Sequence, residues 1–349
     1  MSESIRTPRL AEVPCPLCGK TDTTIRWKGR DRLMGVPGEY QVVQCKNCSF
    51  LYQSPRPHDE DIFLIYPPDY PAYHPAEVEG HKLLRGDGVK AAANRYILSH
   101  SLGYKHLADE RVSLLTKVAA FFRKPKVNKL VFPWTGKGRM LDVGCSSGAR
   151  MSSMKALGWT VAGIEFSEDV ANVAKRDHEN VFFGDILAAP FADRSFDLVT
   201  CFHVLEHVTN PKDVMKRMVR WLAPGGMLVI ELPNAASAGA ARYGTHWFLL
   251  DLPRHFHHFT PETLTKLAED SGGRMVRVEH RDSLGTWIGS IQFRDADRAG
   301  EAAPASKLDS KARKKRKSLK RILRPFALYE RLRRRGEIIR AFISADAPK

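Results

Sequence analysis

The sequence predicts an α/β protein built around a doubly wound parallel sheet, with a small cysteine-rich module at its N-terminus. In the second half of the 349-residue chain, short apolar runs alternate with segments of helical periodicity. Strands that alternate with helices form parallel sheets covered on both faces. Five apolar runs supply the predicted strands: Met140–Cys145, Val161–Phe166, Val181–Gly184, Phe196–Phe202 and Met227–Leu232.

The N-terminal module, residues 1–54, contains two Cys-x-x-Cys pairs separated by 26 residues, a spacing similar to that of a zinc ribbon. Small residues, Gly19 and Ser49, follow the pairs where a tight metal-binding turn requires them. Four thiolates in tetrahedral geometry suit zinc, and such a site is structural because no coordination position stays open. The alternative is a redox-active pair. The predicted zinc ligands are Cys15, Cys18, Cys45 and Cys48.

Residues 55–130 are predicted to form a connector, rich in proline and tyrosine at its start and helical after Gly88. Tyr66, Tyr70 and Tyr73 lie among the prolines, either as a cap over a substrate or as a linker packed on the main domain. The core domain then covers residues 131–286.

Two helices of the core carry clear end signals. Asn210 precedes Pro211 at the start of a predicted helix that ends at Leu222. A second helix begins after Thr260 and ends at a pair of glycines, and a sixth strand follows over Arg274–His280.

Composition excludes several classes of protein. With 43% hydrophobic and 27% charged residues the chain is globular, and no apolar run is long enough to cross a bilayer. We expect a cytoplasmic protein with reduced thiols, since Met1–Leu10 lacks the apolar stretch of a secretory signal. The net charge of +16 is concentrated in Lys307–Arg335, where 14 basic residues face two acidic ones.

Residues at the ends of successive predicted strands point to a nucleotide-like ligand. A glycine-containing turn, Gly144 to Gly148, follows the first strand, and Glu165 ends the second, where a carboxylate accepts the hydroxyls of a ribose. Asp185 follows the third strand, where an acid can receive the amino group of an adenine. The G-x-G-x-x-G fingerprint of nicotinamide dehydrogenases is absent. Together these features predict adenosyl binding.

The motifs in this region resemble those of class I S-adenosylmethionine-dependent methyltransferases over residues 139–285. They comprise Leu141-Asp142-Val143-Gly144-Cys145-x-x-Gly148, Glu165, Gly184-Asp185, Phe196-Asp197-Leu198-Val199, His203-Val204-Leu205-Glu206-His207-Val208 and Leu222-Ala223-Pro224-Gly225-Gly226. The N-terminal zinc ribbon, with Trp247 and the run Pro253–Pro261, is similar to a bacterial subgroup of this family. Ser146 departs from the pattern, because the family usually has a glycine there.

The resemblance implies a Rossmann-like sheet of seven strands whose last strand is antiparallel. Residues 336–349 would supply that strand, which makes residues 287–335 a basic helical insertion in the closing hairpin. The implied cofactor is S-adenosylmethionine. Residues around its amino-acid and sulfonium end would be Asp142, Gly144, Cys145 and Gly148; Glu165 would hold the ribose, Phe166, Asp185 and Ile186 the adenine, and His203 the methionine portion.

Transfer of a methyl group to a hydroxyl is helped by a general base, and histidine is suited to that role near neutral pH. The catalytic candidates are His207, His255 and His257, with His246 and His258 close in sequence. The alternative for each of these histidines is a purely structural role. Arg254 is a candidate for binding a phosphate or carboxylate of the acceptor. A metal bound by the histidines is a further alternative, with Asp251 and Glu262 as the nearby acids.

The leading hypothesis is a methyltransferase that acts on a small molecule, such as a sugar or a lipid-linked polysaccharide precursor, by O-methylation. The alternatives are an RNA methyltransferase and a non-catalytic adaptor that retains the fold. The basic segment would either place the enzyme peripherally at the anionic inner membrane surface, bind nucleic acid, or form a solvated face with an apolar stripe packed on the domain. No Asn-Pro-Pro-Tyr motif follows the fourth strand, so nucleobase amino methylation lacks its usual signature.

Overall fold

A computed structural model describes residues 6–67, 83–84, 88–109, 111–300 and 310–345. Tyr70 and Tyr73 of the predicted connector lie outside these residues, as do the side chains of Lys311–Lys317. The strands in the described part are β1 Leu10–Ala11, β2 Thr23–Gly29, β3 Tyr40–Cys45, β4 Leu51–Gln53, β5 Arg56–Pro57, β6 Arg139–Val143, β7 Thr160–Glu165, β8 Val181–Phe183, β9 Phe196–Phe202, β10 Leu222–Pro233, β11 His257–His258, β12 Arg274–Arg281 and β13 Ile338–Ser344. The α-helices are α1 Val89–Ser101, α2 Leu114–Leu130, α3 Ala149–Lys155, α4 Glu168–Lys175, α5 Pro211–Trp221, α6 Ala238–Tyr243, α7 Pro261–Asp270, α8 Leu284–Ala299 and α9 Ser310–Leu332.

The main sheet has seven strands in the order β12-β13-β10-β9-β6-β7-β8. Strands β6 to β10 pair in parallel, whereas β13 is antiparallel to both β10 and β12. The predicted fold class is therefore confirmed, including the antiparallel last strand. The carboxyl ends of β6, β7 and β9 lie side by side at one edge, where such sheets bind ligands.

Apolar side chains pack on both faces of this sheet. On one face Leu141 and Val199 pack with residues of α5 and α7. On the other face Met140 and Leu198 pack with Ile97 of α1 and with residues of α2. Successive residues of a strand point to opposite faces, so the nearly continuous apolar runs of β6 and β9 follow from burial on both sides.

The cysteine-rich module shares its core with the main domain. Phe50 and Tyr52 belong to the same buried cluster as Leu205 and Phe259. A second sheet, in the order β11-β4-β3-β2, joins the module to the loop that follows β10, since His257 of β11 pairs with Tyr52 of β4. The two regions that the sequence separates at residue 54 are thus packed as one unit.

The insertion between β12 and β13 contains α8 and α9. Trp287 of α8 is buried, and Phe326 of α9 contacts it edge to face with ring centroids 5.2 Å apart. Leu323 also packs inward, whereas the side chain of Ile322 is 69% exposed. Part of the apolar stripe therefore packs on the domain. Among the helices that the structure describes, none is both long and apolar enough to cross a bilayer.

Candidate functional site

The turn between β6 and α3 brings backbone to the ligand edge of the sheet at close range. Gly144 and Gly148 have φ angles of 71° and 79°, in the left-handed region that favours glycine. A Cβ atom at Gly144 would collide with Val204, and one at Gly148 would lie 2.8 Å from the ring of His178. Both glycines are therefore required by packing as well as by conformation. The turn leads directly into the N-terminus of α3, a favourable position for an anionic group.

Ser146 occupies the middle of this turn with a φ of 50°. This left-handed conformation explains why a glycine is usual at the position. The Ser146 hydroxyl is buried and has no hydrogen-bond partner among the described residues. Its backbone N–H donates to Glu165 Oε2 at 2.9 Å, which ties the turn to the end of β7.

Glu165 lies where the sequence places the ribose contact. Its Oε1 accepts hydrogen bonds from the N–H groups of Phe166 and Ser167, both at 3.0 Å. Burial raises the pKa of Glu165 above its ordinary value, although these N–H groups and that of Ser146 oppose the shift. Each carboxylate oxygen has two lone pairs, so Oε2, which accepts only the Ser146 bond in this network, can still accept a hydroxyl.

The adjoining residues form an open apolar surface. The Phe166 side chain is 72% exposed, and Ile186 is half-buried beside the exposed Asp185. Asp185 Oδ1 accepts from the N–H of Leu187 at 2.6 Å, which fixes the carboxylate at the end of β8. An exposed aromatic ring can stack on a flat nucleobase, and a fixed carboxylate beside it can accept a hydrogen bond from the amino group of that nucleobase.

Two of the predicted cofactor residues act from behind the turn. Asp142 is buried and accepts from Thr200 at 2.6 Å and from Arg150 at 2.9 Å. The Cys145 thiol is also buried, packed against Gly163 in the core. These side chains shape the turn, and Cys145 has only its backbone to offer to a ligand.

His203 follows β9 with a left-handed φ of 56° and a partly exposed ring. Its Nδ1 lies 3.3 Å from Glu206 Oε1 and its Nε2 lies 3.8 Å from Glu231 Oε1. Burial lowers the pKa of His203, but the two carboxylates outweigh it and the pKa is raised above the ordinary value. A protonated His203 is suited to contact an anionic group such as an amino-acid carboxylate.

His207 and His255 are brought together although 48 positions separate them in the sequence. Their ring centroids lie 4.6 Å apart in an edge-to-face arrangement. His207 Nδ1 lies 3.1 Å from the Arg254 carbonyl and 2.9 Å from the Tyr66 hydroxyl. Burial, reinforced by His255, lowers the pKa of His207 to about 4, so the imidazole is neutral at physiological pH.

The other candidate histidines have different surroundings, although the ring centroid of His258 lies 6.4 Å from that of His255. His257 is buried against Phe50 and Phe259, and its Nε2 donates to the Val208 carbonyl at 2.8 Å. Burial lowers the pKa of His257 to about 3. His258 is also buried, with no partner for either ring nitrogen among the described residues. The third, His246, contacts Asp297 at 3.0 Å.

The Arg254 side chain has a structural role. Its guanidinium binds Asp31 at 2.7 Å and Asp251 at 2.6 Å, and the side chain is inaccessible to solvent. The expectation that Arg254 receives an acceptor anion is therefore wrong. Sequence distance concealed this pair, because Asp31 precedes Arg254 by 223 residues.

A cavity of about 430 Å³ opens at the same edge of the sheet, beside Glu231 and therefore beside His203. Aromatic and charged side chains line it, and sequence reasoning did not identify them because they come from separate elements. They include Phe132, Arg150, Phe202, Glu231, Arg281 and Arg340.

The four cysteines converge as the sequence predicts. Cys15 and Cys48 have their sulfur atoms 3.5 Å apart, as do Cys18 and Cys45, and all four sulfurs lie within 4.8 Å of one another. Sulfurs around a tetrahedral zinc are separated by about 3.8 Å, given a Zn–S bond of about 2.3 Å. Gly19 and Ser49 both adopt left-handed φ angles, as tight turns after each pair require.

Comparison with known proteins identifies a methyltransferase domain in the chain. A model described as a methyltransferase domain matches residues 104–278. The chain is 35% identical over 155 residues to a ubiquinone biosynthesis O-methyltransferase of Thiobacillus denitrificans, covering 40% of this chain and 66% of that protein. It is 31% identical over 163 residues to a demethylmenaquinone methyltransferase of Renibacterium salmoninarum, covering 45% of this chain and 67% of the relative. The chain thus spans about two thirds of the length of these curated relatives. A solved S-adenosylmethionine-dependent methyltransferase from Archaeoglobus fulgidus is 19% identical with a TM-score of 0.42, over 65% of this chain and 93% of that one.

Proposed function

Because the chain belongs to the class I S-adenosylmethionine-dependent methyltransferases, we propose that it transfers a methyl group to a hydroxyl oxygen of a small-molecule acceptor. The observation that carries the proposal is the strand-end arrangement of Glu165 and Phe166. A carboxylate with acceptor capacity left lies beside a largely exposed aromatic ring, next to a glycine turn. Family membership also speaks against the alternative of a non-catalytic adaptor.

The residues present fit S-adenosylmethionine. Glu165 would accept the ribose hydroxyls, and Phe166, Asp185 and Ile186 would enclose the adenine. His203, whose pKa is raised, would meet the methionine carboxylate. Bound in this way, the cofactor supplies an electrophilic methyl group on a sulfonium. Gly144 and Gly148 let the turn approach it, while Asp142 and Cys145 support the turn from behind.

The acceptor hydroxyl is activated at His207 and His255. With the cofactor bound, in-line transfer would form the O–C bond as the C–S bond breaks, and positioning would provide much of the rate enhancement. The hydroxyl proton leaves to a neutral imidazole, for which His207 is better placed than His257. His257 donates its Nε2 proton to a carbonyl and packs against two phenylalanine rings.

For the acceptor we propose a small molecule, in keeping with the printed names of the two relatives. A sugar or a lipid-linked polysaccharide precursor remains the favoured class from the sequence. We further propose a structural zinc at the four cysteines and contact of α9 with an anionic membrane surface.

A transfer assay tests the proposal. Purified protein is incubated with methyl-labelled S-adenosylmethionine and a panel of phenolic, sugar and lipid-linked alcohols. We expect labelled product from one class, with kcat reduced about 10²–10⁴-fold in His207→Gln, the usual contribution of a general base. His100→Gln, which alters an exposed histidine of α1, serves as the control. Unaltered kcat in His207→Gln would contradict the assigned role.

A further inference from the structure

A second group of metal-ligating side chains lies outside the cysteine cluster. Glu206, His207 and His255 each present a donor atom, and the three atoms lie within 4.8 Å of one another. Glu206 and His207 follow β9, whereas His255 lies in the loop after β10 that the module holds through β11. The fold therefore fixes the group from two independent segments.

A backbone carbonyl lies beside Nδ1 of each imidazole. His207 Nδ1 lies 3.1 Å from the Arg254 carbonyl, and His255 Nδ1 lies 2.9 Å from the Leu249 carbonyl. A carbonyl oxygen only accepts, so Nδ1 of His255 carries the proton and its Nε2 has a lone pair. The Arg254 carbonyl favours the same tautomer of His207, whose Nδ1 also lies 2.9 Å from the Tyr66 hydroxyl. Histidines that bind metals commonly donate their second N–H to a backbone carbonyl in this way.

Glu206 supplies the independent observation that points to a cation. Its side chain is inaccessible to solvent, and Oε1 lies 3.3 Å from His203 Nδ1. Oε2 is buried and has no hydrogen-bond partner among the described residues. A buried carboxylate oxygen without a partner is costly, and a cation beside it would remove that cost.

We propose that Glu206, His207 and His255 bind one divalent transition-metal ion, distinct from the zinc of the four cysteines. Two imidazoles and one carboxylate suit zinc, iron(II), cobalt(II) or manganese(II), and three protein ligands leave positions open. Asp251 Oδ2 lies 3.8 Å from His255 Nε2 and adds negative charge beside the site.

The catalytic consequence rests on the proposed function, whereas binding of the ion does not. An ion at this position would take up one imidazole lone pair from each histidine, so the metal, rather than an imidazole, would activate the hydroxyl. Coordination lowers the pKa of the hydroxyl, which releases its proton to water before its oxygen attacks the methyl carbon. As in the proposed function, the O–C bond would form while the C–S bond breaks.

Cobalt(II) is the probe that separates the two sites. The full-length protein is stripped of metal and reloaded with cobalt alone, then its absorption spectrum and cobalt content are measured. We expect two ions per chain. One gives the intense sulfur-to-cobalt charge-transfer band of the cysteine site, and the other gives only weak d–d bands. Glu206→Gln and His255→Ala should each lose the second ion and keep the charge-transfer band, which also reports that the module is folded.

Glu337→Gln is the matched control. Glu337 is likewise a buried glutamate, but it accepts from Trp247 and Gly239 away from the group, so this variant should keep both ions. A single ion with the thiolate spectrum would overturn the proposal, as would a second ion that survives both substitutions. Calorimetry with S-adenosylmethionine on the same samples keeps the hypotheses apart. Absent cofactor binding alongside two cobalt ions would defeat the proposed function alone.

Discussion

Asp31 and Arg254 form a bidentate ion pair, with both N–O distances at 2.7 Å and both side chains inaccessible to solvent. Asp31 also accepts from the backbone N–H groups of Leu33, Met34 and Val36. The pair joins the N-terminal module to the loop that carries His255. It therefore helps to fix the loop that carries the proposed functional residue His255, through a contact that spans 223 residues.

Removing one member of this pair should destabilise the whole protein. Arg254→Met leaves the Asp31 carboxylate buried without its guanidinium, which typically costs about 3–5 kcal/mol. Urea unfolding measures the loss. Arg220→Met, which breaks a largely exposed pair with Asp193, should cost about 1 kcal/mol or less. Equal losses in the two variants would show that the buried pair has no special role.

Loss of the Glu165 carboxylate should weaken binding of S-adenosylmethionine. A hydrogen bond to a charged group contributes about 1.5–3 kcal/mol, so Glu165→Gln should raise Kd by about 10- to 150-fold. Titration calorimetry gives the ratio. Glu168→Gln, an exposed change at the start of α4, should leave Kd unaltered. If Glu165→Gln binds as tightly as the parent, the ribose contact is assigned to the wrong residue.

Serine at position 146 should be less stable than glycine. The left-handed φ of 50° costs an L-residue about 1–2 kcal/mol, and part of this is offset by the greater freedom of glycine in the unfolded chain. Ser146→Gly should therefore raise the free energy of unfolding by up to about 1 kcal/mol. The neighbouring Ser147→Gly, which relieves no such strain, should lower it. Thermal unfolding of both variants provides the comparison.

Chelation of zinc should destabilise the main domain together with the module. The two share one core, through Phe50, Tyr52 and Phe259, so a single cooperative transition should move to lower temperature. Free zinc at a concentration of about 1,000 times its Kd stabilises the folded protein by about 4 kcal/mol. Cys18→Ser should reproduce the shift, whereas Cys145→Ala should retain the cobalt thiolate band. Two separate transitions after chelation would contradict the shared core.

Acid should destabilise the fold partly through His178. Burial lowers the pKa of His178, whose Nε2 lies 2.9 Å from the Ser152 hydroxyl. The unfolded state then binds more protons below the ordinary pKa of about 6.5, so stability falls as the pH drops through that value. His178→Gln should reduce the pH slope between pH 7 and 5 by up to about 1.4 kcal/mol per pH unit. An unaltered slope in urea titrations would exclude this contribution.

The fold class and the cofactor edge were predictable because their signals are local. Apolar runs identify strands, and the glycines of the β6–α3 turn lie within five positions of one another. The resemblance to a known family added the predicted role of His203. The structural role of Arg254 was not predictable, since a sequence does not show which arginine has a buried carboxylate partner.

What the sequence determined by itself was the order of strands and helices in the core domain, the four-cysteine cluster and the strand-end residues that we propose for the cofactor. Only the tertiary structure decided which histidines meet. It brings His207 to His255 and Glu206, and it buries His257 against the rings of Phe50 and Phe259. The physical reason is that periodicity and spacing are encoded over a few residues, whereas desolvation and ion pairing depend on surfaces that only folding brings together.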